Sequence, residues 1–331
     1  MSKVAVLGAG SWGTALALQL ARNNIDVSLW GHLPEEIEQM KTDNENTHFL
    51  PSYQFPPNLA PNSDLESCVN NADEILIAVP SHAFATILTQ IKPLINSEVS
   101  ICWATKGLDP LNNELLSQVC ERILGNRDMA VISGPTFALE VASGLPTAIV
   151  IASTDCAHAE RLCQYLKDEK FRPYTSDDLI GVQIGGAAKN IMAIAAGITD
   201  GLGFGANTRA ALITRGLIEI SRLGAELGGN AETFMGLAGI GDLVLTCTDN
   251  QSRNRRFGLA LAKGQSIDEA KQSIGQEIEG INTTREIYLK GKSLGIEMPI
   301  TEQTYKVLYE QLDPKMAVKN LLSRQTRPET D

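Results

Sequence analysis

Two lysines, one aspartate and one arginine-rich segment are the residues whose types and settings could do chemistry. Lys189 stands inside Gly185-Gly186-Ala187-Ala188-Lys189-Asn190-Ile191-Met192-Ala193-Ile194-Ala195-Ala196. An amine in so apolar a helix loses water, and desolvation lowers its pKa toward that of a usable base. A neutral amine can take the proton of a substrate hydroxyl as hydride leaves carbon, and the ammonium can return it to a forming alkoxide. The plain alternative is a lysine that snorkels to the surface or sits in a structural ion pair. Asn190 is set to orient the same oxygen or to cap neighbouring backbone. Asp242 lies among small and apolar residues in Gly236-Leu237-Ala238-Gly239-Ile240-Gly241-Asp242-Leu243. A partly buried carboxylate needs a partner, either a cationic lysine or the substrate's hydroxyls. As a helix N-cap instead, Asp242 would contribute about 0.5–2 kcal/mol.

Gln251-Ser252-Arg253-Asn254-Arg255-Arg256 is the densest basic cluster in the chain. Arginine grips a phosphate with two parallel hydrogen bonds, and Ser252 and Asn254 add neutral donors. A solvated charge run is the competing reading. The glycine-rich stretch 200–207, followed by Arg209, reads as a helix–helix turn before it reads as an anion loop. Cys247 reads as buried filler. There is no HExxH, EF-hand, P-loop lysine or GxSxG, and His32, His48, His82 and His158 do not cluster. No metal is expected, so carbonyl polarisation falls to lysines and backbone donors.

These groups need elements to position them. Val4-Ala5-Val6-Leu7 is an apolar run that breaks into Gly8-Ala9-Gly10-Ser11-Trp12-Gly13 and then reads as a helix. A GxGxxG between a strand and a helix is the setting a dinucleotide requires. Gly8 makes the turn, Gly10 lets a pyrophosphate approach the backbone, and Gly13 lets helix pack on strand. The second strand, from Asp26, ends Trp30-Gly31-His32 without the carboxylate that holds a ribose 2′-hydroxyl in NAD-selective folds. NADP is therefore expected to be accepted as well as NAD. His32 either contacts the adenosine end or is a solvated loop histidine.

Strands at 74–80, 99–104, 129–133 and 147–152 alternate with helical stretches, and 171–174 is extended. Residues 33–72 hold one helix and then a Pro- and Asn-rich segment read mostly as loop. The alternation predicts an α/β, Rossmann-type, doubly wound, mainly parallel sheet with ligands at the strand carboxyl ends. Strand signals fade near residue 178. Helices are expected at 178–197, 208–227, 266–274, 283–294 and 299–309, and the first two should be buried. The expected division is 1–179 for the dinucleotide domain and 180–331 for an all-helical domain. The polar tail from Arg324 is expected to fray.

Composition bounds the rest. The chain has 331 residues, 43% hydrophobic and 20% charged, so it is globular and long enough for two domains. A net charge of −11 argues against a general nucleic-acid binder. Six cysteines (68, 102, 120, 156, 163 and 247) show no CxxC and no zinc spacing, and most sit in apolar segments. With no signal-peptide pattern and no membrane span expected, the reading is cytoplasmic.

Six motifs in order carry a resemblance over nearly the whole length: GAGSWGTALA, WATKGL, SGPTFALEVASGLPTA, GGAAKNIMAIAAGI, GLAGIGDLVLTCTDNQSRNRR and EMPI. The chain resembles the bacterial NAD(P)-dependent glycerol-3-phosphate dehydrogenases. The resemblance implies a 6-phosphogluconate-dehydrogenase-like fold. It also implies reversible oxidation of sn-glycerol 3-phosphate to dihydroxyacetone phosphate with NAD(P)+, run mostly toward the phospholipid precursor. It implies Lys189 as the proton acceptor, with Lys106 and Asp242 beside it. Lys106, Gly134, Thr136, Lys189, Asp242, Ser252, Arg253 and Asn254 would surround the substrate. Gly8, Gly10, Ser11, Trp12, Gly13, His32, Lys106, Ala138, Arg253, Ile278 and Glu279 would line the cofactor site. The roles of Gly134, Ala138, Ile278 and Glu279 rest on the resemblance alone. On this reading Lys106 and Lys189 face the reacting oxygen from opposite domains, each lowering the other's pKa, while Asp242 positions Lys189. The apolar helical domain leaves room for a homodimer. Two other classes fit parts of the pattern. A two-domain dehydrogenase of 3-hydroxy acids has less need of SRNRR, and a non-enzymatic cofactor sensor has no need of a buried lysine.

Overall fold

The computed structural model describes residues 2–325 and Pro328. The first half alternates strand and helix: β1 (Lys3–Leu7), α1 (Ser11–Arg22), β2 (Asp26–Trp30), α2 (Pro34–Asp43), β3 (Glu45–Asn46), β4 (Leu50–Gln54), β5 (Leu59–Asn62) and α3 (Leu65–Val69). It continues with β6 (Glu74–Ile77), α4 (Ser81–Ile91), β7 (Ser100–Trp103), α5 (Leu116–Leu124), β8 (Met129–Ser133), α6 (Ala138–Ala142), β9 (Thr147–Ser153), α7 (Cys156–Leu166) and β10 (Phe171–Ser176). Eight strands form one sheet in the order β10-β9-β8-β7-β6-β1-β2-β5. Every neighbouring pair is parallel except β8 with β9. Helices cover both faces, so β6, β7 and β8 are buried at every residue and are mostly apolar, with Glu74, Ser100 and Ser133 at their ends. The chain leaves β1 toward β2 on one side and reaches β6 on the other. The carboxyl ends of β1 and β6 therefore form the switch-point crevice.

The segment read mostly as loop is more ordered than its composition implies. It contains the antiparallel β3–β4 pair, α3, and β5 on the sheet edge beside β2. Pro61 pairs opposite Leu29 there. An edge strand tolerates proline because the missing N–H faces away from the ladder. Proline and asparagine in 51–62 thus hid a strand.

The second half is helical: α8 (Leu179–Gly201), α9 (Ala206–Glu226), α10 (Ala231–Phe234), a π-helical turn (Leu237–Gly241), α11 (Asp242–Thr248), α12 (Arg253–Ala262), α13 (Ile267–Ile274), α14 (Glu279–Ser293), α15 (Pro299–Tyr309) and α16 (Pro314–Leu322). The basic cluster opens α12, a helix its charge run did not announce. By length and composition α8 is apolar enough to cross a membrane, yet every residue from Gly181 to Thr199 is buried within the fold. An all-round apolar helix here is the axis of a domain core. Asp178 sets its start by accepting hydrogen bonds from Gly181 N (2.7 Å), Asn230 N (2.8 Å) and Thr233 Oγ1 (2.6 Å). Cys68, Cys102, Cys120 and Cys247 are buried, Cys163 is half-buried and Cys156 is exposed. Arg324, where the polar tail begins, is exposed and pairs with Glu297 at 2.5 Å. Met1, Thr326, Arg327 and residues 329–331, most of the expected tail, lie outside the described residues.

α12 crosses α8 almost backbone to backbone. A Cβ on Gly258 would lie 2.1 Å from Ile194 O, and one on Gly197 would lie 2.1 Å from Arg255 O. Gly258→Ala is therefore expected to force the helices apart and cost about 1–3 kcal/mol. An unchanged urea midpoint would contradict this crossing.

Candidate active site

The crevice begins at the glycine turn. Gly8 has φ +120, and a Cβ there would lie 2.7 Å from Ala78 O, just past β6. A Cβ on Gly13 would lie 1.9 Å from Gly8 O, so α1 sits tight on β1. A Cβ on Gly10 would meet nothing within 4 Å, so the space over the turn is open. Gly10 caps α1 without a side-chain bond, and the first helical N–H to return is Thr14 N to Gly10 O at 2.9 Å. The amides of Ser11, Trp12 and Gly13 precede that bond, as free helix-opening donors do. Open space above unspent amides fits the pyrophosphate of a dinucleotide.

Asn46 holds this turn, and the sequence reading did not single it out. Its Nδ2 donates to Ala9 O (2.9 Å) and to Thr14 Oγ1 (2.8 Å), and its Oδ1 accepts from Phe49 N (3.1 Å). Ser11 Oγ donates to Phe49 O at 2.8 Å, which commits that hydroxyl to the hairpin. Trp12 Nε1 is buried without a partner among the described residues. His32 is exposed just past β2.

The reactive groups meet deeper in the crevice. Lys106 follows β7, Lys189 sits midway along α8, and Asp242 is the first residue of α11. Lys106 Nζ donates to Asp242 Oδ2 at 2.6 Å, and Lys189 Nζ donates to Asp242 Oδ1. Asp242 is fully buried, and Lys189 is 6% exposed, so it does not snorkel. Asp242 makes no capping bond, so the N-cap alternative is overturned. Thr246 Oγ1 donates to Asp242 O at 2.6 Å and lies 3.3 Å from Oδ1. Small residues on α8 make the approach possible. A Cβ on Gly185 would lie 2.4 Å from Ala238 O in the π-turn, and one on Gly186 would lie 2.8 Å from Ser133 Oγ and 3.7 Å from Lys106 Cδ.

Burial lowers the Lys189 ammonium, Asp242 pushes it back up, and Lys106 lowers it again, leaving it at about 7. The expected repulsion between the lysines is thus real for Lys189 but ranks behind burial and Asp242. Burial alone would raise Asp242, yet the two ammonium groups, Lys106 before Lys189, hold its carboxyl below the usual range.

The basic cluster divides. Ser252 caps α12, accepting from Arg255 N at 3.2 Å. Asn254 Nδ2 donates to Asn190 Oδ1 (3.0 Å), and Gly280 N donates to Asn254 Oδ1 (2.9 Å), which links α8, α12 and α14. Half-buried Arg253 is lowered by burial, against the pull of Glu279 and Glu277. Arg255 is not part of any clamp. It is buried, its Nε donates to Cys247 O at 3.0 Å, and its guanidinium bonds Asn250 and Asp200, the latter at 2.5 Å. Arg256 is exposed. Asp200 also pairs with Arg209 at 2.8 Å, so the 200–207 stretch is a braced helix turn.

Gly134 (φ +139) ends β8, where a Cβ would lie 3.1 Å from Ile149 Cα. Thr136 Oγ1 donates to Gly134 O at 3.2 Å, and Ala138 opens α6. Gln251 Nε2 reaches Glu140 Oε1 at 3.0 Å, tying the α12 entrance to α6. Buried Ile278 precedes Glu279, the first residue of α14. Burial, then Glu277, raises the Glu279 carboxyl to about 8 against the pull of Arg253, and Ser81 Oγ lies 3.4 Å from its Oε2. Among the described residues no group of three His, Cys, Asp or Glu could hold a metal ion.

Comparison with known proteins accords with this geometry. The profile described as NAD-dependent glycerol-3-phosphate dehydrogenase N-terminus matches residues 3–159, and its C-terminus counterpart matches 178–319. The chain belongs to the NAD-dependent glycerol-3-phosphate dehydrogenase family. A Shewanella halifaxensis relative named glycerol-3-phosphate dehydrogenase [NAD(P)+] is 54% identical over 329 residues, covering 99% of this chain and 97% of the relative. One from Actinobacillus pleuropneumoniae with the same name is 55% identical, covering 98% of each. The crystal structure of glycerol-3-phosphate dehydrogenase from Coxiella burnetii superposes with a TM-score of 0.96 at 50% identity, covering 98% of this chain and 99% of that one. Within this family fold, the Asp242 carboxylate is the strongest upward influence on Lys189. Asp242→Asn is expected to move the Lys189 pKa below about 7. A site-resolved NMR titration of lysine Nζ would test this, and an unmoved midpoint would deny the coupling.

Proposed function

We infer that this chain catalyses reversible hydride transfer between NAD(P)H and dihydroxyacetone phosphate, yielding sn-glycerol 3-phosphate. The observation that carries the reading is a single buried carboxylate, Asp242, bonded both to Lys106 from the sheet domain and to Lys189 from the helical domain. When bound along the Gly10 turn, the cofactor supplies or accepts the hydride. Lys189, with its pKa near neutrality, takes the carbinol proton in one direction and donates it in the other. Lys106 places positive charge beside the same oxygen and stabilises it as charge develops. Asp242 keeps the two amines on one side of the reacting oxygen.

Arg253, with Ser252 and Asn254 around it, is the proposed phosphate grip, which fixes the secondary carbon against the nicotinamide. Gly134 and Thr136 line the substrate on the β8 side. Ser11, Trp12, His32, Ala138, Ile278 and Glu279 complete the proposed cofactor lining, which rests on similarity to the family. The strand end Trp30-Gly31-His32 offers no carboxylate against a 2′-phosphate, which supports use of NADP as well as NAD. A division at 179/180, just inside the start of α8, a cytoplasmic enzyme with unpaired cysteines, and a homodimer belong to the same proposal.

A spectrophotometric assay with dihydroxyacetone phosphate and each nicotinamide tests the function directly. Lys189→Ala is expected to lower kcat by about 100-fold or more while NADPH binding persists; near-normal turnover would remove Lys189 from the chemistry. The base form is needed for oxidation, so kcat/KM for glycerol 3-phosphate should rise with pH through about 7. The acid form is needed for reduction, so the reverse reaction should fall above the same pH. Profiles flat across this window would exclude Lys189 as the titrating group. Arg253→Ala should chiefly raise KM for the phosphorylated substrate, and an unchanged KM would count against the grip.

A further inference from the structure

The segment carrying Lys106 hangs between the two domains. On one side Thr105 Oγ1 donates to Val79 O at 2.7 Å, which pins it to the chain leaving β6. On the other side the Leu108 side chain lies in the apolar core of the helical half, with Ile184, Ile191 and Ile287. Between them Gly107 has φ +143, and a Cβ there would lie 2.7 Å from Ser81 Cβ and 3.5 Å from Thr283 Oγ1. The chain is thus clamped immediately before and after Lys106.

One polar bond secures the far end. Leu108 N donates to Glu286 Oε2 on α14 at 3.3 Å. Glu286 is fully buried, and its other oxygen has no partner among the described residues. An unpaired buried carboxyl oxygen costs the fold free energy. The return visible here is an acceptor for Leu108 N, which ties the Lys106 segment to the helical half as Ala104 N, donating to Ile77 O at 2.8 Å, ties it to the sheet. Glu286 lies two helical turns beyond Glu279 on α14, one face of which thus meets Ser81 and Leu108 of the sheet domain.

We propose that Glu286 is a positioning residue for the reaction: by holding Leu108 N it fixes Lys106 on Asp242 and thereby sets the proton affinity of Lys189. The proposal rests on the dehydrogenase reading of the same site. Glu286 is faced by Arg285 and Asp109, by Glu279 two turns back on α14 and by the Tyr309 phenol from α15, whereas Lys189 is faced by Asp242 and Lys106, with the Cys247 thiol nearby. If Glu286 releases Leu108, Lys106 drifts from Asp242, and Lys189 loses a cation that lowers its pKa.

The test uses the full-length enzyme and three variants. Glu286→Met removes the acceptor. Glu286→Asp keeps the carboxylate but withdraws it by one methylene, and serves if Glu286→Met does not fold. Glu286→Gln keeps an acceptor of the same reach. Glu286→Met and Glu286→Asp are expected to lower kcat about tenfold to a hundredfold, as misplacement of a reacting group does. NADPH affinity should hold, and the Lys189 NMR midpoint should rise above about 7. Glu286→Gln should restore both kcat and midpoint. A folded Glu286→Met or Glu286→Asp with wild-type midpoint overturns the proposal, as does lost activity without a midpoint shift. Failure of the wild type to reduce dihydroxyacetone phosphate would sink the functional reading instead, while the NMR titration would still judge Glu286.

Discussion

One buried carboxylate sharing two amines is the constraint on which this molecule turns. Asp242 is wholly out of solvent and carries a bond to Lys106 on one oxygen and to Lys189 on the other. Neither amine belongs to its helix or to the other's element, so the interaction also joins the domains. A carboxylate buried alone would neutralise itself by taking a proton. Two ammonium partners overcompensate, and the excess positive charge is relieved most easily at the more buried amine, Lys189. Removing one partner of such a set typically costs about 3–5 kcal/mol. Positioning and proton affinity therefore come from the same bonds.

Buried carboxyls elsewhere in the chain show why the partner matters. Glu219 accepts three hydrogen bonds at the start of α15, from Ile300 N, Thr301 N and Thr301 Oγ1, yet burial still raises it to about 7. Glu286, with a single backbone donor, is also raised to about 7. Glu279, with Arg253 set against Glu277 and burial, rises to about 8. Asp242 alone of these four is held below its ordinary range, because two cations touch it. At Glu219 and Glu286 neutral donors leave burial dominant, whereas at Asp242 two direct ammonium contacts reverse it.

Close backbone approach is the second theme. The Gly8–Gly13 turn, the Gly185–Gly186 pair and the Gly197–Gly258 crossing each remove side chains where two chains, or a chain and a lysine stem, must meet. The last two let α8 accept the π-turn before Asp242 and the helix that Arg253 opens. Thus one helix, apolar on every side, gathers a lysine from within itself and an aspartate and an arginine from its neighbours. Asn46 has an equivalent task at the dinucleotide turn, tying the β3–β4 hairpin to Ala9 and Thr14.

Local order alone made much of this legible. The strand, GxGxxG and helix of residues 3–22 are contiguous, so their spacing already implies the turn and its open amides. Lys189 stood out because a charge within an apolar helix is read directly along the chain. The β5 strand was not legible, since proline and asparagine suppress strand propensity and only an edge position rescues them. Nor could order alone separate Arg253, the half-buried first residue of α12, from Arg255, which turns inward to Asp200 fifty-five residues away. The same holds for Lys106 and Asp242, 136 residues apart, and for Leu108 and Glu286, 178 apart. Periodicities, the tight turn and the out-of-place residues could be read along the chain, because these depend on near neighbours. Which charges touch, and whether each buried amine or carboxyl is pushed up or down, emerged only from the packed fold, because desolvation and ion contact depend on groups brought together from both domains.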